Sequence, residues 1–438
     1  CRMVADRRTG SMSMYTATFY SYKGGVGRSL TLANVAYCLA SGRFSQDDLH
    51  NSDERRVVRN KKKKVLVVDF DLEAPSLATK QFFPPKPGLE TPGIVEFVTK
   101  YRETNISPNV RDYVYDCVFD SESDGRDPVT ITVMPAGNVD RKYRSRLASL
   151  EWNRLYGEQQ GYLLLEDLKA QWKDELGVDY VLIDSRTGQA DVEGICTRQL
   201  PDGVVITFFP NDQNLVGLER LVGGIRSSQQ GERNKVEFMF VASNVPRLDD
   251  DEEILRKQMR SFEDALNISP GEMYTVHHYE SLRLLKNSLF TQSRPTSRLA
   301  KQFQGISAGI RSMNIADKDG VIEDLRSSVG PYRGMSRFGG LNRRKVRFGS
   351  LNPLERARLL QRNRRRGPRS SQKKWLQEIE EQHAGEGEVL FHLGQFYVER
   401  FRDHEYAEDL FAKAAKRGYN SPVVAMRHAE SLRYLGEH

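Results

Sequence analysis

The sequence predicts an α/β protein: a doubly wound, mostly parallel sheet, followed by a basic linker and an α-helical repeat region. Three observations carry that expectation. The apolar run at 64–70 shows no polar alternation, as in a strand covered on both faces, and further strand candidates recur along residues 15–315. Helical patterns lie between several of them, which implies right-handed βαβ units. Beyond residue 330 the composition turns arginine-rich, and from 372 helical periodicity returns.

Residues 15–22 (YTATFYSY) form a β-rich run that leads straight into a glycine cluster. Residues 29–41 follow with Leu30, Ala33, Val35, Ala36, Leu39 and Ala40 at roughly helical spacing. Residues 64–70 (KVLVVDF) read as a central parallel strand. Further strands are expected at 129–134, 180–183, 203–209, 236–242 and 273–276, with helices at 162–176 and 214–226. Between the first helix and the second strand, residues 43–64 form a charged insertion, since a tight connection needs only about 2–6 residues. Its lysines, Lys61 to Lys64, read more readily as a solvated flank of the strand than as a contact for nucleic acid or acidic lipid.

A chain of 438 residues has room for two or three domains, each with its own core. The longest apolar runs, such as 65–68, are far too short to cross a bilayer, and the polar, basic opening carries no leader. Cys1, Cys38, Cys117 and Cys196 form no C-x-x-C pair and have no metal-spaced histidines. That pattern excludes a zinc site and a disulfide framework and fits reduced, buried thiols in the cytoplasm. The start at Cys1 and the end inside a helical pattern are those expected of a piece of a longer chain.

The net charge of +7 is unevenly spread: residues 331–375 hold fifteen Lys and Arg against Glu355 alone, so the rest of the chain is acidic. That basic stretch contains RFGGLN (337–342) and RFGSLN (347–352) and reads as a linker without a core. With Phe338 and Phe348 interleaved, it suits a nonspecific grip on nucleic acid through counterion release. A soluble tether, or a contact with an acidic protein, is the alternative. Further on, Leu390, Leu393, Gly394 and Tyr397 match the L-x-x-L-G-x-x-Y opening of a tetratricopeptide-like repeat. Tyr406, Ala407, Phe411 and Ala414 follow one residue out of register, and 415–418 and 432–436 look like the Sel1 variant. One helical hairpin cannot bury its apolar face alone, so further repeats are expected, offering a protein partner a surface.

The string with the most chemistry is Lys23, Gly24, Gly25, Val26, Gly27, Arg28, Ser29, between a strand and a helix. Glycines let successive backbone N–H groups face phosphate oxygens, and the following helix adds its positive end. Ser29 is placed to offer its hydroxyl to Mg²⁺.

This string resembles the deviant Walker A motif, K-G-G-x-G-K-[ST], of the MinD/ParA family of P-loop ATPases. The resemblance extends to VLVVDFD (65–71), like that family's second strand with its D-x-D element, and to YVLIDSRTG (180–188), like its Walker B strand and switch glycine. VMPAG (133–137) and FVASN (240–244) sit where the family has strands. The resemblance implies an ATP-dependent homodimer. Lys23 would reach across it to the partner's nucleotide, Gly24 to Ser29 would cradle the phosphates, and Ser29, Asp69 and Asp184 would serve Mg²⁺. Asp71 would position or activate the attacking water, Gly188 would respond to the γ-phosphate and Asn244 would read the adenine. The domains expected, with the linker and repeats read from composition and pattern, are a disordered segment at 1–14, an ATPase domain at 15–315, the basic linker at 316–375 and helical repeats at 376–438.

Each residue also has a plainer reading: Asp69 and Asp71 cap a turn at a strand end, Asn244 merely follows a strand, Arg186 pairs at the surface, and His277 and His278 are structural. Arg28 departs from the family's lysine; arginine keeps the charge with a different reach and donor geometry, so binding should survive more readily than hydrolysis. Residues 71–75 (DLEAP) also depart from common plasmid-partition forms, which argues against a plain segregation role. The two functions left are an ATP-driven dimerising switch and a non-hydrolysing, nucleotide-stabilised scaffold. A bacterial tyrosine kinase lacks its tyrosine cluster here, and an iron–sulfur reductase lacks its cysteines.

Overall fold

The computed structural model describes residues 14–43, 62–120, 127–186, 194–228, 236–246, 252–268, 272–280, 289–329, 370–420 and 422–435. They fall into two compact units, one within Cys1–Asn267 and Tyr274–Ser307, the other within Ile268–Met273 and Ala308–His438. Gly188, Lys61, the segment 1–13 and the repeats RFGGLN and RFGSLN lie outside the described residues.

The first unit is built on an eight-stranded sheet. Its strands are β1 (Tyr15–Tyr20), β2 (Val65–Phe70), β3 (Tyr115–Phe119), β4 (Val129–Met134), β5 (Tyr180–Ser185), β6 (Gly203–Phe208), β7 (Glu237–Val245) and β8 (Tyr274–His277). They run in the order β3-β4-β2-β5-β1-β6-β7-β8. The pairings are parallel except β3 with β4, so the expected doubly wound, mostly parallel sheet is present. β1, β2, β5 and β6 are buried at every position, so their polar residues are few: threonines in β1 and β6, and Asp69, Asp184 and Ser185 near the C-terminal ends of β2 and β5.

β3 was not expected. It is an edge strand with one wet face, Tyr115 and Cys117 inward and Asp116 and Val118 exposed. Five residues with a valine on the wet face give too little alternation to read. The helix α1 (Arg28–Ser41) follows the glycine loop, and α2 (Ile94–Thr104), absent from the sequence reading, precedes β3. The short α3 (Tyr143–Ala148) and α4 (Trp152–Glu158) lead into α5 (Gly161–Asp174), which turns Leu164, Leu165, Leu168 and Trp172 into the core beside Leu66, Val68, Val181 and Ile183. α6 (Asp212–Ser228) and α7 (Glu252–Ala265) complete the crossovers flanking β7.

VMPAG has a structural task. Pro135 and Ala136 accept the backbone N–H groups of Ile94 and Val95 at 3.0 and 2.9 Å, tying down the start of α2. Gly93 is required there, because a Cβ would stand 1.8 Å from the Pro135 oxygen. Cys38, Cys117 and Cys196 are buried free thiols. Burial pushes Cys38 up to about 12 and Cys117 up to about 11, which keeps them protonated.

In the second unit α8 (Lys318–Val329) packs with α9 (Ser370–Gln382), α10 (Gly387–Phe396), α11 (His404–Lys416) and α12 (Pro422–Leu435). Its core includes Val321, Leu325, Leu376, Leu390, Leu393 and Phe411. Gly394 permits the close approach of α10 and α11, since a Cβ there would meet the Phe411 ring at 2.6 Å. The expected linker bounds of 316–375 therefore need correction at both ends. Residues 318–329 form a helix with a buried apolar face, and helix resumes at Ser370. The dense arginines further on had masked the first, whereas the second starts within two residues of the helical periodicity read from 372. No helix among the described residues is long and apolar enough to cross a membrane.

Candidate phosphate-binding site

The glycine loop leaves β1 near the middle of the sheet and enters α1. Gly25 and Gly27 have φ of 77° and 82°, the left-handed region that side chains with a Cβ rarely adopt. Nothing lies within 4 Å of where a Cβ would stand at Gly24 or Gly25, while at Gly27 it would meet Ser243 Oγ at 3.4 Å. Val26 is buried and anchors the loop. The backbone N–H and the hydroxyl of Thr31 both donate to Gly27 O at 2.9 Å, closing the first turn. The amides at the head of a fourteen-residue helix are thus presented at the loop.

Lys23 is exposed at the loop's edge, and its ammonium donates to Gln213 Oε1 on α6. One turn further along α6, the missing side chain of Gly217 makes room for Tyr22, whose ring would lie 2.4 Å from a Cβ. α6 therefore holds the two residues before the glycines.

The carboxylates come from the neighbouring strands. β5 lies between β1 and β2, and its Asp184 sits in register with Phe19 on one side and Asp69 on the other. Parallel strands bring these C-terminal ends to one edge of the sheet, where ligand sites of such folds lie. Arg28, the first residue of α1, spans them. Its Nε donates to Asp184 Oδ1, and its Nη2 donates to Asp71 Oδ2 at 2.5 Å. Ser29 Oγ donates to Asp184 Oδ2 at 2.5 Å.

Asp69 is turned to the backbone. It accepts from the N–H of Asp71 at 3.3 Å and from Ser76 and Leu77 at 3.0 Å each, so it caps the turn after β2, the plainer of its two readings. Asp69 and Asp184 are fully buried. Burial pushes the Asp69 carboxyl up to about 8, with the charge of Asp184 adding to it and the Leu77 and Ser76 amides opposing. Burial likewise raises Asp184, against the pull of Arg28 and the Ser29 hydroxyl. For Arg28, burial works against the charge, and Asp184 and Asp71 outweigh it, holding the guanidinium above its ordinary value.

These residues fit a phosphate group. Besides the glycine cradle, Arg28 Nη1 is buried and has no hydrogen-bond partner among the described residues. A phosphate oxygen is the acceptor that a guanidinium fork takes bidentately or singly. They do not fit a resident Mg²⁺ in this arrangement. Both oxygens of Asp184 are engaged by Arg28 and Ser29, Asp71 is engaged by Arg28, and Asp69 is engaged by three amides.

The remaining expected residues scatter. Asn244 lies in β7 with φ of 57°, exposed, its Oδ1 facing His278 Nδ1 at 2.5 Å, beside the Ser243 that approaches Gly27. Arg186 pairs with Glu73 at 2.6 Å on the surface, and His277 packs its Nδ1 on Gln302 at 2.6 Å, the structural roles expected of both. Sequence reading gave no role to Ser243, which lies inside FVASN, or to Gln213; they reach the loop only through the order β1-β6-β7 and the placement of α6.

No protein-family model matches the sequence, and no curated protein matches it. Among solved structures the chain is similar to a Cyanothece McdA–ATP complex at 17% identity, with 70% of this chain and 97% of that chain covered and a TM-score of 0.46. It is similar to a ParA-family ATPase from Chlorobium tepidum TLS at 17% identity, covering 68% and 98%, with a TM-score of 0.43. It is also similar to the cell division ATPase MinD of Pyrococcus furiosus at 16% identity, covering 67% and 96%, with a TM-score of 0.43.

Proposed function

We propose that the chain is an ATP-binding, slowly hydrolysing switch that dimerises on ATP and signals to a protein partner through its C-terminal helices. The observation that carries this reading is the convergence of the glycine loop, Arg28, Asp71 and Asp184 at the ends of three adjacent strands. Phosphoryl transfer asks mainly for placement and charge compensation, which such a site supplies. Gly24 to Ser29 hold the phosphates, Asn244 meets the adenine, and Asp71 orients the water. Lys23, exposed beside the loop, reaches the nucleotide of a second copy, as the motif resemblance supports. The basic stretch 330–371 gives nucleic acid a second, nonspecific contact.

The second reading, a nucleotide-stabilised scaffold without turnover, draws on Arg28. Its fork is already held by the carboxylates that would otherwise handle water, so turnover could be lost while binding stays. Phosphate release, measured beside the mass of the ATP-mixed chain by light scattering, separates the two. The switch predicts slow release and a mass about twice 50.1 kDa. Binding and dimerisation with no release favours the scaffold. A chain that releases phosphate as a strict monomer contradicts the dimeric mechanism.

A further inference from the structure

We infer that Arg28 is the site's resident cation: its guanidinium bridges the bound triphosphate to Asp184 and Asp71, so that the nucleotide binds without a divalent metal. This rests on the nucleotide-binding reading above and adds a property that the motif resemblance does not imply.

Arginine offers five N–H groups in a rigid plane, matched to carboxylate and phosphate oxygens. Here Nε is spent on Asp184 and Nη2 on Asp71. Nη1 is buried and has no hydrogen-bond partner among the described residues. A buried charged donor without an acceptor is costly, so such groups in folded proteins meet a partner, often a ligand. The side chain starts at the first residue of α1, where the glycine loop ends, so a phosphate in that loop is the acceptor nearest to hand in the chain's own chemistry.

The same geometry disfavours a metal. A divalent ion serving this loop would draw on Ser29 and Asp184, but Asp184 gives one oxygen to Arg28 and the other to the Ser29 hydroxyl. A guanidinium and a divalent ion sharing one carboxylate would repel at short range, with little water to screen them, since Asp184 is fully buried. Arg28 also does the metal's structural work: it ties the loop to the carboxylates at the ends of β2 and β5. A lysine would do neither. Its single ammonium is a point charge that cannot hold two carboxylates and a phosphate in one plane, and it would leave Asp184 available. The exposed Lys23 adds a second positive charge beside the phosphates.

The test is a calorimetric titration of ATP into the full chain, with excess Mg²⁺ or with excess EDTA, for the wild type and Arg28→Lys. The wild type should bind with affinities within about threefold of each other in the two buffers, and Arg28→Lys should bind at least about tenfold more weakly in EDTA. A wild type that loses about tenfold or more in EDTA, or an Arg28→Lys variant that ignores Mg²⁺, overturns the inference while leaving nucleotide binding intact. A wild type that binds in neither buffer sinks the nucleotide-binding reading itself. Should Arg28→Lys fail to fold, by its melting curve, the wild-type comparison decides alone.

Discussion

Lys23→Ala should abolish ATP turnover, a fall on the order of 10³ or more, and weaken the ATP-dependent dimer. The ammonium is exposed and bonded to Gln213 rather than to any group inside the glycine cradle. Its removal therefore leaves the fold and the melting temperature unchanged, which separates a lost function from a lost structure. Positive charge placed on a leaving phosphate stabilises charge that grows during transfer, so its loss acts on rate more than on binding. Asp71→Ala should also lower turnover, but with ATP kept bound and the dimer held. Phosphate release and light scattering on both variants check the pair. Undiminished turnover in either variant contradicts the role assigned to it.

Asp184→Ala should cost about 3–5 kcal/mol of stability, the range seen when one member of a buried charge pair is removed. Asp184 is fully buried and holds both Arg28 and Ser29. Without it Arg28, itself only 7% exposed, keeps Asp71 alone. Asp184→Asn retains volume and one acceptor oxygen and should cost less. Removing charge and counter-charge together, as Arg28→Met with Asp184→Leu, should recover much of the loss, because the desolvation of both ions disappears. Urea denaturation curves give the three values. A loss below about 1 kcal/mol for Asp184→Ala would place the pair among exposed ion pairs, against its burial.

The parts of this site that were legible are those written in consecutive residues. The glycine loop declares itself because Gly25 and Gly27 need left-handed backbone, and β2 and β5 because an apolar run, 65–68 and 180–183, precedes each aspartate. Asp69, Asp71 and Asp184 were legible as strand-end carboxylates. What each holds was not. The fork of Arg28 joins residues 156 apart in sequence, and it exists only because β5 is inserted between β1 and β2. Arginine at the lysine position was visible, and its consequence was not, since reach and partners depend on that strand order. The same holds for Ser243 beside Gly27 and Gln213 under Lys23. At the other end, the helix Lys318–Val329 was hidden by the basic composition that follows it, although Val321, Ile322 and Leu325 give it a buried face.

Whether ATP binds at this loop is decided by titrating a fluorescent ATP analogue into the full chain and into Gly25→Val. Position 25 suits the purpose: a Cβ would meet nothing within 4 Å, so packing is untouched, while φ of 77° is barred to a β-branched residue. The loop must then turn its amides elsewhere. The wild type should saturate, and Gly25→Val should bind at least about thirtyfold more weakly, roughly 2 kcal/mol, while still melting cooperatively at a somewhat lower temperature because of the strain at φ of 77°. Equal affinity in the two proteins would contradict the account and put the nucleotide, if it binds at all, somewhere other than the head of α1.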